Sequence, residues 1–304
     1  MKVAVIGLGL IGGSVALDLK TRKFATSVVG FDSNPTNARL AKKLKLVDQV
    51  LSLKRAIHSA DLIVLAVPVD MILKLLPKIL DQMGDRAVVT DVGSTKQEIC
   101  KAVIEHPRRS QYVASHPMAG TENSGPAAAI RGLFDQKTAV ICDRWSSQAW
   151  AVERVESFYD CLKMRIVSMA SSEHDYHVAF VSHLSHVSSF VLANTVLEKE
   201  KNVNAIFDLA GGGFESTVRL AKSSPQMWSP IFLQNRVAVL SAIDAYIESL
   251  EQFRKLLKAK NSGHLQATMQ NANRIRKVLD NLKGQKNDRR RSQVKESING
   301  KKSK

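Results

Sequence analysis

The chain has 304 residues, 44% hydrophobic and 24% charged, a balance that excludes a disordered or membrane-embedded chain and at this length points to two domains. The formal charge of +16 raises nucleic acid as a partner, yet eight Lys or Arg against Asp288 and Glu296 put +6 of it between Gly284 and Lys304. That stretch is too poor in large apolar residues to fold and is expected to be a disordered basic tail, while the remainder lacks the aromatic interleaving or zinc-finger spacing of a nucleic-acid binder and suits anionic small molecules instead.

In chain order, Lys2 to Ile6 is a β-branched run, followed by the glycine turn Gly7-Leu-Gly9-Leu10-Ile11-Gly12-Gly13-Ser14 and a helical pattern to about Lys20. Ser27 to Phe31 is a second strand ending on Asp32, and Asn34-Pro35 opens a helix through Leu44. Leu62 to Val67 and Ala87 to Thr90 are continuous apolar strands of the kind buried on both faces of a parallel sheet, with helices around Met71 to Gln82 and Thr95 to Glu105. The order is βαβαβα, with further short strands near Tyr112 to Ala114, Thr138 to Cys142 and Arg165 to Ser168. From Ser172 the pattern is helical, with one long segment ending near Glu200 and another from about Pro225 to Lys260. The fold expected is an α/β Rossmann-type domain with a mostly parallel sheet over residues 1–170, an all-α domain over 171–283, and the tail over 284–304. Leu240, Ile243, Ile247, Leu250 and Leu257 form one apolar stripe, which either packs within the chain or makes a homodimer seam.

No apolar run reaches a bilayer span, no signal-peptide cleavage site follows the first strand, and Cys100, Cys142 and Cys161 form an odd set without a CxxC pair. A cytoplasmic protein with reduced thiols and no membrane contact is expected.

The glycine turn lies between a strand and a helix, with Asp32 twenty positions past Gly12. That context makes it a dinucleotide fingerprint. Gly7 permits the tight turn, Gly9 the approach of the pyrophosphate and Gly12 the packing of helix on strand, and the helix N-terminus attracts phosphate. Asp32 is placed to bind the ribose hydroxyls and repel a 2′-phosphate, which favours NAD over NADP. Leu10, Ile11, Val67 and Pro68 complete the expected cofactor contacts.

Three further segments carry chemistry: Asp91-Val-Gly-Ser94-Thr-Lys96, His116-Pro-Met-Ala-Gly120-Thr-Glu122-Asn-Ser-Gly125, and Gly211-Gly-Gly-Phe214-Glu-Ser-Thr-Val-Arg219. Ser94 and His116 fall at carboxyl ends of strands, where open α/β sheets bind ligands. Together with VSHLSH and the run GGGFESTVRLAKSSPQMWSPIFLQNR, these motifs resemble the prephenate and arogenate dehydrogenase family, a match running from Met1 to about Leu282. The resemblance implies NAD-dependent oxidative decarboxylation of prephenate in tyrosine biosynthesis, with arogenate as the alternative substrate. It implies His116 as catalytic acceptor of the hydrogen bond from the ring hydroxyl, and Ser94 as the partner that holds the same hydroxyl or the imidazole. Arg219 is implied to grip the ring carboxylate, and Ser182, His183, His186, Glu122 and Trp228 to line the substrate pocket. Two departures from the family pattern stand in the arginine loop, where Ser216 and Val218 replace the commoner Asp and Thr. An ionic gate using that Asp is therefore not expected.

His174, His177, His183 and His186 lie close in sequence, but His174 and His177 sit at a helix start and need not converge with the other two. No metal is expected. Two rival functions remain: a hydroxy-acid dehydrogenase of similar build using Lys96, and a non-catalytic NAD-binding or nucleic-acid-binding protein. Neither explains HPMAG and the Arg219 loop together.

Overall fold

The computed structural model describes residues 1–203 and 205–281; the expected basic tail lies outside them. Eight strands form one sheet in the order β3-β2-β1-β4-β5-β6-β7-β8: β1 Lys2–Ile6, β2 Ser27–Phe31, β3 Gln49–Val50, β4 Leu62–Leu65, β5 Val88–Asp91, β6 Tyr112–Pro117, β7 Thr138–Cys142 and β8 Arg165–Met169. All neighbours pair parallel except β6 and β7, where His116 stands opposite Val140. The mostly parallel sheet is thus as expected, and β3 is an addition too short to show a sequence period.

The apolar runs explain the layering. In β1, Val3 and Val5 enter one core while Ala4 and Ile6 enter the other, and β4 divides its four buried residues in the same way. Helices α1 Leu10–Thr21, α2 Pro35–Lys43, α3 Leu53–His58, α4 Val69–Gln82, α5 Gln97–Lys101 and α6 Ala149–Cys161 connect the strands. The start of α2 is set by Asn34, whose side chain accepts from the Thr36 amide at 2.9 Å, and by Pro35 in the first turn. Neither α3 nor α6 was expected, and α5 is shorter than the run from Thr95 to Glu105.

Beyond β8 the chain is helical: α7 Ser171–Val178, a π-turn over Ala179–His183, α8 Leu184–Val203, α9 Gly212–Val218, α10 Pro225–Gln234, α11 Arg236–Lys258 and α12 Ser262–Ala272. The expected single helix from Pro225 to Lys260 is broken at Asn235. That residue has ψ of 28°, and its side-chain amide donates to the Asp175 carbonyl at 2.6 Å and to His183 at 3.2 Å. Side-chain bonds of this kind compete with the helix ladder.

Compactness divides the chain between Leu240 and Ser241, later than the change from mixed to helical structure near residue 170. The first unit extends so far because Trp228 and Ile231 of α10 join the core that covers one face of the sheet. Within α11, Ile247, Leu250 and Leu257 are about half exposed. Contrary to the reading that no run reaches a span, Ser171–Lys201 is long and apolar enough to cross a membrane by length and composition. It nevertheless contains the buried polar residues His174, Asp175 and His183.

Candidate active site

The strand order reverses on either side of β1, and the crevice beside such a switch point is where open sheets bind ligands. Gly7, at the end of β1, has φ +96°, and a Cβ there would lie 2.3 Å from the Ala66 carbonyl oxygen just past β4. A Cβ on Gly12 would lie 1.9 Å from the Gly7 carbonyl oxygen, so only glycine lets α1 start this close to the strand. Gly9 differs: no atom of the described residues lies within 4 Å of its Cβ position, which leaves room for a ligand at the helix N-terminus. Asp32 accepts from the Leu8 amide at 2.9 Å and from the Asn34 amide at 2.8 Å, one on each carboxylate oxygen. It ties β2 to the glycine turn, and each oxygen keeps a lone pair for a ribose hydroxyl. Leu10 is buried, Ile11 and Val67 are half-buried, and Pro68, at the start of α4, is exposed.

His116 is the penultimate residue of β6, and its side chain is buried. Burial, then the neighbouring His174, Lys96 and His183, hold its pKa well below the usual histidine value, so the ring is neutral. Its Nδ1 lies 2.9 Å from His174 Nε2, and His174 Nδ1 lies 2.8 Å from Asp175 Oδ1. Asp175 also accepts from the Lys96 amide at 2.8 Å and the Gln97 amide at 2.9 Å. His174, considered in the sequence only against His183 and His186, is thus a direct neighbour of His116, whereas His177 is exposed. The partner of the imidazole is His174 and not Ser94, whose hydroxyl makes no hydrogen bond among the described residues.

His183 is also buried, although a plain α-helix would turn it about 180° away from His174. The π-turn between them rotates less per residue and brings the two to one side, as such turns often do at functional sites. Burial lowers the His183 pKa to about 4. The Asn235 amide can only donate to its Nδ1, so the proton sits on Nε2. That Nε2, the Trp228 indole nitrogen and the Gln234 amide nitrogen are buried without hydrogen-bond partners among the described residues. His183 and Trp228 meet edge to face with centroids 5.8 Å apart, and His186 stacks on Trp228 at 3.5 Å. The Ser182 carbonyl accepts from His186 Nδ1 at 3.0 Å, and burial foremost, with the nearby Arg219 charge, lowers the His186 pKa.

Arg219 and Glu122 pair at 3.2 Å, both side chains reaching solvent. An exposed pair contributes about 0–1 kcal/mol, so the guanidinium can exchange this carboxylate for another at little cost. Ser216 donates to the Gly213 carbonyl at 2.9 Å and supplies no charge to the pair.

Sequence reasoning missed a second polar cluster. Lys96 is fully buried, its ammonium held by the Asp91 carboxylate and, at 2.8 Å, by the Ser115 carbonyl, while Tyr112 donates to Asp91 at 2.7 Å. Paired in this way, Lys96 is not available as the catalytic lysine of a hydroxy-acid dehydrogenase. The signal was present in the polar residues of strands otherwise apolar, at Thr90, Asp91 and Ser115. No group of His, Cys, Asp and Glu suited to a metal occurs among the described residues.

Two family models match the chain: "Prephenate dehydrogenase, nucleotide-binding domain" over residues 15–168 and "Prephenate dehydrogenase, dimerization domain" over residues 170–271. The prephenate dehydrogenase of Bacillus subtilis is 30% identical over 86% of this chain and 72% of its own length. Among solved structures, the prephenate dehydrogenase of A. aeolicus, in complex with hydroxyphenyl propionate and NAD+, superposes with a TM-score of 0.83 at 27% identity, covering 92% of this chain and 98% of that one. Synechocystis arogenate dehydrogenase gives 0.75 at 27% identity, covering 92% of this chain and 100% of that one.

Proposed function

The chain belongs to the prephenate dehydrogenase family, and from that premise we infer that it converts prephenate to 4-hydroxyphenylpyruvate and carbon dioxide with NAD, His116 serving as the base. The cradle fits the cofactor: Gly9 leaves space at a helix N-terminus, and Asp32 offers free lone pairs at the end of β2. NAD supplies the carbon that accepts the hydride from the ring carbon bearing the hydroxyl. His116 accepts the hydroxyl proton as the carbonyl forms, and the ring carboxylate leaves as carbon dioxide when the ring aromatises. Arg219 binds a substrate carboxylate through its planar fork. Ser94 is free to donate to the ring oxygen, and Glu122, Ser182, His183, His186 and Trp228 surround the substrate.

The observation that carries this reading is a buried, neutral imidazole at the carboxyl edge of the sheet. The unpartnered donors of His183, Trp228 and Gln234 call for acceptors, which the two carboxylates and keto oxygen of prephenate provide. Arogenate carries an ammonium group in place of that keto oxygen. Functionally, residues 1–170 hold NAD and supply Ser94, His116 and Glu122, while residues 171–283 supply the rest of the substrate pocket and join two copies of the chain into a homodimer. The site residues within Ser171–Lys201 support a soluble, cytoplasmic enzyme over a membrane span.

Turnover is read as NADH absorbance with prephenate or arogenate and with NAD or NADP. Prephenate with NAD is expected to be fastest, and a preference for arogenate would overturn the substrate assignment. His116→Asn should lower kcat by about 10²- to 10⁴-fold while NAD binds as before; an active variant would remove His116 from the role.

A further inference from the structure

We propose that His174 and Asp175 are positioning residues that hold His116 in the tautomer protonated on Nδ1, so that Nε2 carries the lone pair facing the substrate hydroxyl. The inference rests on reading His116 as the base and adds what makes it one. A buried imidazole has two tautomers, and only one presents an acceptor to the ring hydroxyl.

The chain of assignments begins at Asp175. Its Oδ1 receives the Lys96 amide and its Oδ2 the Gln97 amide, so a carboxylate with two backbone donors already fixed is an acceptor towards everything else. The third contact, to His174 Nδ1 at 2.8 Å, must then place a proton on that nitrogen. A neutral His174 is left with a lone pair on Nε2. That atom lies 2.9 Å from His116 Nδ1, so His116 is the donor in this bond and its own Nε2 is free of a proton. The near-perpendicular rings, 72° apart, suit one ring's in-plane N–H pointing at the other's lone pair.

The same arrangement serves the reaction step. When the hydroxyl proton moves to His116 Nε2, the proton on Nδ1 stays where it is. The resulting imidazolium donates a stronger, charge-assisted hydrogen bond to His174, which is itself polarised by the Asp175 carboxylate. No second proton transfer is needed. His174 and Asp175 touch neither substrate nor cofactor in this account. Because the Asp175 acceptors are spent on the two amides that open α5, directly after Ser94, the helix that carries His174 is tied to the strand end that carries Ser94.

Asp175→Asn tests the idea. The amide turned towards His174 donates instead of accepting, which reverses both tautomers and puts a proton on His116 Nε2. A loss in kcat of about 10²- to 10³-fold is expected, with NAD affinity unchanged. His174→Gln should keep turnover within about tenfold, because the Gln carbonyl can still accept from His116 Nδ1, whereas His174→Leu should fall as Asp175→Asn does. A merely structural role would not move the decisive readout, the ¹⁵N NMR tautomer of His116, assigned by the signal missing in His116→Gln. The native protein should show the proton on Nδ1. A native His116 protonated on Nε2, or a folded, NAD-binding Asp175→Asn with native turnover, overturns the proposal, and the native spectrum decides alone if the variants do not fold. Full activity in His116→Gln would instead refute the base assignment beneath it.

Discussion

In the proposed role His116 can accept a proton only while its imidazole is neutral, and burial favours that form. Its pKa lies well below the usual 6.5, so kcat/KM should hold from neutral pH into mild acid and fall as pH drops through a limb centred below 6.5. A limb above that value would mean the ring is solvated in the working enzyme. His183 makes a separate prediction about stability. Its folded pKa is about 4 against the ordinary 6.5, so between these values the unfolded chain binds a proton that the folded chain does not. Stability is therefore lost as pH falls across that window, by roughly 3 kcal/mol from this residue. Urea unfolding of the native chain and His183→Gln at pH values on both sides should show a shallower acid loss in the variant. In the role proposed for Arg219 the fork matters more than the charge, so Arg219→Lys should raise KM for prephenate more than about tenfold and leave KM for NAD unchanged. Equal effects on both substrates would place Arg219 outside the prephenate site.

Among elements, the glycine turn separates packing from binding within six residues. Gly12→Ala puts a methyl group against the Gly7 carbonyl at 1.9 Å, and should destabilise the fold by more than about 2 kcal/mol. Gly9→Ala meets nothing within 4 Å, and should leave the melting temperature unchanged while weakening NAD at least about tenfold. Native NAD affinity in Gly9→Ala would move the pyrophosphate elsewhere. This turn was legible because strand, glycines and acid are local in sequence. The helices after residue 170 were less so. The break at Asn235 and the π-turn before Leu184 answer to partners far along the chain, since Asn235 bonds Asp175 and His183. A periodicity argument sees neither, because it assumes one rotation per residue from end to end.

At the scale of the whole molecule, the half-exposed Ile247, Leu250 and Leu257 on α11 and the match to a dimerization domain bear on the same seam. Leu250→Glu should shift sedimentation from dimer towards monomer and make thermal unfolding depend less on concentration; an unchanged dimer would place the seam on another face. The sequence by itself determined the βαβ opening, the central apolar strands, the change to helix near residue 170 and the cofactor turn, and it singled out His116 and Arg219 as candidates, because hydrophobic period, glycine placement and short motifs are properties of neighbours along the chain. Only the tertiary structure decided that His174 backs His116, that Asp175 backs His174, and that Lys96 is buried against Asp91. The first of those bonds joins residues 58 positions apart. A buried donor or acceptor must find its partner wherever the fold brings one, so no local pattern announces which it will be.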